Sequence, residues 1–216
     1  MNDKRLEEDV VHELGWEPSL DASDIGVSCA DGVVTLRGNV RSYAERVRAE
    51  RVAQRVFGVT AVMNDVHVRL TDEHTRTDTE VAEAAVTALK WNTLVPAGRV
   101  AVLVANGWIT LTGAVSWQYE KDAAARAVRY LPGVKGVVNN VTVRPHVDAT
   151  HVRDKIEAAF RRSAEIDARR ITVTAKDGKV TLSGNVHSWA EREEAERAAW
   201  AAPGVREVDD QLAVAP

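Results

Sequence analysis

The chain repeats itself. DGVVTLRGNVRSYAER from Asp31, NGWITLTGAVSWQYEK from Asn106 and DGKVTLSGNVHSWAER from Asp177 read alike. Gly38 and Gly58, Gly113 and Gly133, and Gly184 and Gly204 are each 20 residues apart. The first two copies are offset by 75 residues and the last two by 71, with no gap inside the matched parts. A fixed period of this kind means one structural unit used three times. The same offsets superpose Leu6, Val10 and Leu14 on Val81, Ala85 and Leu89, and these on Val152, Ile156 and Phe160. Apolar residues at i, i+4 and i+8 form one stripe of an amphipathic helix, so each copy opens with a helix of about three turns.

Alternation follows. Ile25, Val27 and Cys29 share one parity, as do Val100, Val102 and Val104, and Ile171, Val173 and Ala175. That is a half-buried strand. Asp31-Gly32, Asn106-Gly107 and Asp177-Gly178 then supply residues that tolerate the positive φ of a tight hairpin turn. The second strand points Val34 and Leu36, Ile109 and Leu111, and Val180 and Leu182 inward. Ser42 with Glu45, and Ser188 with Glu191, have the spacing of a capping box at the start of a second helix. An αL cap at Gly58, Gly133 and Gly204 is expected to stop that helix. A Val-rich third strand closes each unit and runs parallel to the second, because a helix lies between them. The expected fold is α+β: three tandem αββαβ modules over 1–70, 71–145 and 146–216, each a small three-stranded mixed sheet covered on one face by two helices.

Composition narrows the function. Net charge is −4 overall, and −3, +1 and −2 over the three modules. No basic stripe or reading motif exists to hold nucleic acid. The one cysteine, Cys29, cannot form an intrachain disulfide. The opening MNDKRLEEDV has no apolar core of a signal peptide. A cytosolic protein is the expectation, or a periplasmic one if a signal has been removed.

Catalytic constellations are not seen. The six histidines fall at no repeated position. His146 and His151, with Asp148 between them, read as linker residues rather than metal ligands. No Gly-rich phosphate loop occurs. Glu45, Glu120 and Glu191 recur as cap partners. The repeat glycines Gly38, Gly113 and Gly184 read as strand positions that need glycine's backbone freedom. No cofactor is expected.

Two groups point to binding. Asn64, Asn139 and Asp210 sit in the last strands at inward parity. They are either hydrogen-bonded anchors or oxygen donors to a cation. Arg161, Arg162, Arg169 and Arg170 cluster around the first loop of module 3, and Trp117 and Tyr119 stand at the second-helix start of module 2. Basic residues and interfacial aromatics together suit an anionic lipid surface or a protein contact. Trp16 and Trp91 occupy equivalent places at the end of the first helix. Trp108 faces away from the helices and reads as packing between modules.

The pattern D-G-x-V-T-L-x-G-x-V, a Ser/Glu helix start, an Ala-rich helix, G-V and a Val-rich last strand resembles the BON domain. The resemblance covers nearly the whole chain, three times. It implies an αββαβ fold without catalysis. It also implies binding to anionic phospholipid surfaces, support of bacterial envelopes under osmotic stress, and use as a module of transport-associated assemblies. One cytosolic relative of that family binds potassium, which suggests a cation at Asn64, Asn139 and Asp210 as an alternative. A scaffold with a protein partner is the third expectation.

Overall fold

The computed structural model describes residues 3–145 and 151–215. Module 1 runs α1 (Asp3–Trp16), β1 (Ile25–Ala30), β2 (Val33–Val40), α2 (Tyr43–Arg55) and β3 (Ala61–Val68). Module 2, after a short 3-10 turn at Asp72–His74, runs α3 (Asp78–Trp91), β4 (Val100–Ala105), β5 (Trp108–Val115), α4 (Gln118–Arg129) and β6 (Gly136–Val143). Module 3 runs α5 (Val152–Arg162), β7 (Ile171–Lys176), β8 (Lys179–Val186), α6 (Trp189–Trp200) and β9 (Glu207–Val214). His146 and Asp148 lie outside the described residues. Contacts gather the chain into two compact units. One is Met1–Val115 with Tyr119–Thr142, and the other is Ser116–Gln118 with Val143–Pro216.

Each module builds its own three-stranded sheet, in the order β1-β2-β3, β4-β5-β6 and β7-β8-β9. The sheets are mixed. β1 pairs antiparallel with β2 and β3 pairs parallel with it, and β7, β8 and β9 repeat this. The expected helical stripes are all buried, as are the inward pairs of the central strands. The three central strands therefore carry the core: each is hydrogen-bonded on both sides and covered by helices on one face.

The hairpin turns form as the sequence predicts. Asp31 and Gly32 both have positive φ, as do Asn106 and Gly107, and Asp177 and Gly178. Gly38 is needed for a different reason. Its φ is +130°, and a Cβ there would lie 1.8 Å from the Asp24 carbonyl oxygen. Gly113 and Gly184 make the same approach to the Arg99 and Arg170 carbonyls.

The helix ends differ from expectation. Gly58, Gly133 and Gly204 do not cap their helices. α2 already ends at Arg55, with an extended Val56 as its cap. Gly58 lies beyond it, third in a four-residue turn closed by the Val59 N–H donating to the Val56 carbonyl. Pro132-Gly133 and Pro203-Gly204 fill the middle of the equivalent turns. Proline second and a positive-φ glycine third are what such a turn requires. The capping boxes also reach further than spacing suggests. Ser42 accepts from the Glu45 N–H, but the Glu45 carboxylate accepts from Arg41, one residue before the cap. Glu191, only 4% exposed, accepts from His187 and from Asp167 in the loop ahead of β7. The closed reciprocal box is Thr77 with Glu80, at the start of α3.

Module 3 departs from its sisters at one end. α5 has 11 residues where α1 and α3 have 14. Its cap, His151, is in the left-handed region and makes no side-chain capping bond. Ala175, expected to share the buried parity of Ile171 and Val173, is exposed.

Gly38→Ala is expected to lower stability by about 3 kcal/mol or more, because backbone meets backbone there. Gly15→Ala, in α1 with open space around it, is expected to raise stability by up to about 1 kcal/mol. Urea denaturation of both variants checks the pair.

Candidate functional site

The polar residues of the last strands prove to be anchors between helix and strand. The Asn64 side-chain amide donates to the Arg46 carbonyl at 3.1 Å and to a Glu50 carboxylate oxygen at 3.0 Å. Its own oxygen accepts from the Val66 N–H. Asn139 repeats this with the Lys121 carbonyl and the Val141 N–H. Asp210 keeps the backbone bond, to Leu212, and has no amide to donate. Arg192 supplies the missing donor, its Nε 2.7 Å from the carboxylate in a largely buried pair. The Arg192 guanidinium also lies over the Trp189 ring, 5.1 Å from its centre. The three residues stay in separate sheets; the Asn64 and Asn139 amide oxygens and one Asp210 oxygen each accept a backbone N–H, and the other Asp210 oxygen accepts from Arg192.

The arginines of module 3 fall in two places. Arg161 and Arg162 form the exposed last turn of α5, where cations complement the helix dipole. Arg169 pairs with Asp167 at 3.2 Å, and Arg170 lies 2.7 Å from His187 Nδ1. Glu165 and Asp167 separate the two pairs along the loop. Trp117 and Tyr119 are positioned at the first turn of α4. Tyr119 is exposed and Trp117 half-buried.

The largest exposed aromatics sit elsewhere. Trp16 is 83% exposed and Trp91 81% exposed, at the ends of α1 and α3. Each shares its module with a second aromatic just past the end of the other helix, Phe57 (70% exposed) and Tyr130 (62% exposed). In module 1 a surface groove of about 680 Å³ runs along this edge, lined by Arg5, His12, Trp16, Arg55 and Phe57 among others. Arg55 is held there by Glu13 and Glu17. Leu94 and Val86 are further exposed apolar residues of module 2. By the repeat offset Arg162 takes the place of Trp16 and Trp91, so the same helix end is aromatic twice and basic once. Phe57 and Tyr130 were not singled out from sequence, because they lie past the end of the helical stripe, where periodicity stops carrying information.

Trp108 packs its ring within its own sheet. It covers Gly136 on the neighbouring strand, where a Cβ would come within 2.3 Å of the indole. At the equivalent site module 1 pairs Val33 with Ala61, and module 3 pairs Lys179 with Glu207 at 2.7 Å.

The ionisable groups are tuned by local contacts. Glu17 and Asp21 are held below the usual carboxylate range mainly by the Ser19 and Ser23 hydroxyls. Glu80 is held down by the Thr77 backbone and Asp167 by the Arg169 backbone. Burial pushes the Cys29 thiol up, with the Asp3 carboxylate adding to it, which keeps the thiol protonated and unreactive. Among the described residues no three His, Cys, Asp or Glu side chains are grouped to hold a metal ion. No helix among them is long and apolar enough to cross a membrane.

The family model of the BON domain matches residues 2–69, 77–145 and 148–216. The chain belongs to the BON family. A curated relative, the osmotically-inducible protein Y of Escherichia coli (strain K12), is 31% identical over 148 residues, covering 67% of this chain and 74% of that protein. Among solved structures, CdsD, a structural protein of the type III secretion system of Chlamydia trachomatis, aligns over 98% of this chain and 93% of its own. Its TM-score is 0.28 and its identity 14%. The PrgH periplasmic domain aligns over 89% and 95%, with a TM-score of 0.24 and 13% identity. Scores this low assign neither arrangement nor activity to this chain. Within the three BON modules the repeat glycines and cores agree, while the helix-end edge varies.

Asn64→Asp separates the anchor from a cation site. It removes the amide donors to Arg46 and Glu50 and sets a second carboxylate beside Glu50, so it is expected to cost about 1–3 kcal/mol at pH 7 in urea denaturation. A variant made more stable than the parent by added potassium would show an ion bound there instead.

Proposed function

We propose that this BON protein is a non-catalytic binding protein of osmotic stress that docks on anionic phospholipid surfaces. The observation that carries this reading is the pair of exposed tryptophans at equivalent helix ends. Water is a poor environment for an indole, and repetition of the same exposure in two copies marks a surface made for contact. Tryptophan and tyrosine rings settle at the level of lipid headgroups, with an apolar body and a polar edge. Arg5 beside Trp16, and Arg161 and Arg162 on module 3, add attraction to anionic headgroups, each basic residue near the surface contributing about 1 kcal/mol. Tyr119 offers a further exposed ring. The link to osmotic stress rests on similarity to the osmotically-inducible protein Y of Escherichia coli. The non-catalytic reading rests on membership of the BON family.

Flotation with vesicles of neutral phosphatidylcholine, and of phosphatidylcholine mixed with phosphatidylglycerol, tests this. The protein is expected to float only with the anionic mixture, and less at physiological than at low salt. Trp16→Ala with Trp91→Ala should weaken flotation at every salt concentration. Arg161→Glu with Arg162→Glu should weaken it most at low salt. A chain that stays at the bottom with both compositions removes the membrane reading and leaves a protein partner.

A further inference from the structure

The hairpin turn of each module presents two adjacent backbone N–H groups, and in two modules these hold a carboxylate. Asp78, at the first position of α3, accepts from Asn106 and Gly107 at 2.7 and 2.8 Å, one oxygen to each. Asp3, at the first position of α1, accepts from Asp31 and Gly32 at 3.1 and 3.4 Å. Successive N–H groups of a positive-φ turn form a concave anion site, and here it is used twice inside the chain.

Module 3 keeps the turn and loses the acid. Asp177 and Gly178 have φ of 51° and 80°, within a few degrees of their counterparts. The residue at the repeat position of Asp3 and Asp78 is Ala149, which lies outside the described residues. Among the described residues no group accepts from the Asp177 or Gly178 N–H. A cleft of about 400 Å³ opens there instead, between this turn and the start of α5. It coincides with the exposed Ala175 and the side-chain-uncapped α5 terminus.

The surrounding charge has changed in the matching direction. Lys176 stands where the sister modules have Ala30 and Ala105, and Arg153 where they have Glu7 and Ala82. Both line the cleft. Lys176 has no ion-pair partner among the described residues, whereas Arg153 is engaged by Asp154 at 3.1 Å and Glu157 at 3.7 Å. The Asp177 side chain does not bar an anion, since Asp31 occupies the same turn position beside the Asp3 carboxylate.

We propose that module 3 binds a carboxylate from outside the chain, held by the Asp177 and Gly178 N–H groups with the Lys176 charge at the edge of the turn, in the nest that Asp3 and Asp78 fill in modules 1 and 2. The occupant carries an acetate-like group, as an aspartate side chain does. It is either a small organic acid or an acidic side chain of a peptide. The site is separate from the helix-end aromatics, so its test does not depend on the membrane reading.

Amide NMR of the full chain reads the site directly, with sodium acetate replacing sodium chloride at constant ionic strength. The Asp177 and Gly178 resonances are expected to shift and saturate, while those of Asn106 and Gly107 stay still because Asp78 already fills their nest. Lys176→Ala, which installs the residue both sister modules carry, should weaken acetate binding severalfold without unfolding the module. Asp78→Ala should make Asn106 and Gly107 respond as well. An aspartate blocked at both ends, run beside acetate, separates the sources. Tighter binding than acetate supports a peptide side chain, and equal or weaker binding supports a small acid. Shifts of equal size at all three turns, or none at Asp177 and Gly178, overturn the proposal. So does a response that appears only in Asp148→Asn, which would mean the chain fills the nest itself.

Discussion

Each module depends on burying one face of a three-stranded sheet, and with so few strands the central one carries the burden. Val34, Leu36 and Val40 on β2 have counterparts Ile109, Leu111 and Val115, and Val180, Leu182 and Val186, all buried. The central strand is hydrogen-bonded on both sides, so its register is set by two partners at once, and a slip of one residue would turn the apolar set to water. The glycine at its far end follows from the same crowding. The chain ahead of the first strand passes so close that its carbonyl leaves no room for a Cβ. A unit of about 70 residues buries too little surface to tolerate loss at such a point. That explains why turn, central strand and strand glycine are the parts the three copies share.

Where burial does not decide, the copies have found different solutions to one geometric problem. The cross-strand site at the sheet edge is filled by Val33 and Ala61, by an indole laid over Gly136, or by a lysine–glutamate pair. An aromatic ring over a glycine restores packing that the glycine lacks, and the ion pair reaches the same end through charge. The tie between second helix and third strand shows the same freedom. An asparagine amide donates to the helix backbone in modules 1 and 2, and a partly buried arginine donates to an aspartate in module 3. Removing one partner of the last pair would strand a charge in a poorly hydrated place, so it is less forgiving than the amide.

The fold was legible because its signals are local. Helical stripes, two-residue turns and the interval from strand glycine to turn glycine all lie within short windows, and three copies in register reinforced each one. The misread features have their partners far along the chain. Nothing local in the sequence marks Asp3 and Asp78, since the turn amides they hold are 28 and 29 residues away. Glu191 carried the spacing of a cap partner, yet its second bond goes to Asp167, 24 residues earlier. Gly58 was placed at the cap because a glycine after a helix fits there. Only hydrogen bonding distinguishes a cap from the third position of a following turn. The candidate site was legible in part. Trp16 and Trp91 were seen as equivalent, but the ring that accompanies each became visible only when the two helix ends were in place.

The chemistry that remains is one of fixed charge and exposed rings. Glu17, Asp21, Glu80, Asp167 and Glu194 are all stabilised in the ionised form by bonds to neighbours close in sequence. For each, the folded pKa lies below the unfolded one. Their contribution to stability is therefore complete above the unfolded value and is lost as pH falls through the folded value. At neutral pH these groups hold their charge and have no proton to move. Divergence between the copies falls where burial does not decide, because the shared core leaves only helix ends, turn nests and sheet edges free to differ.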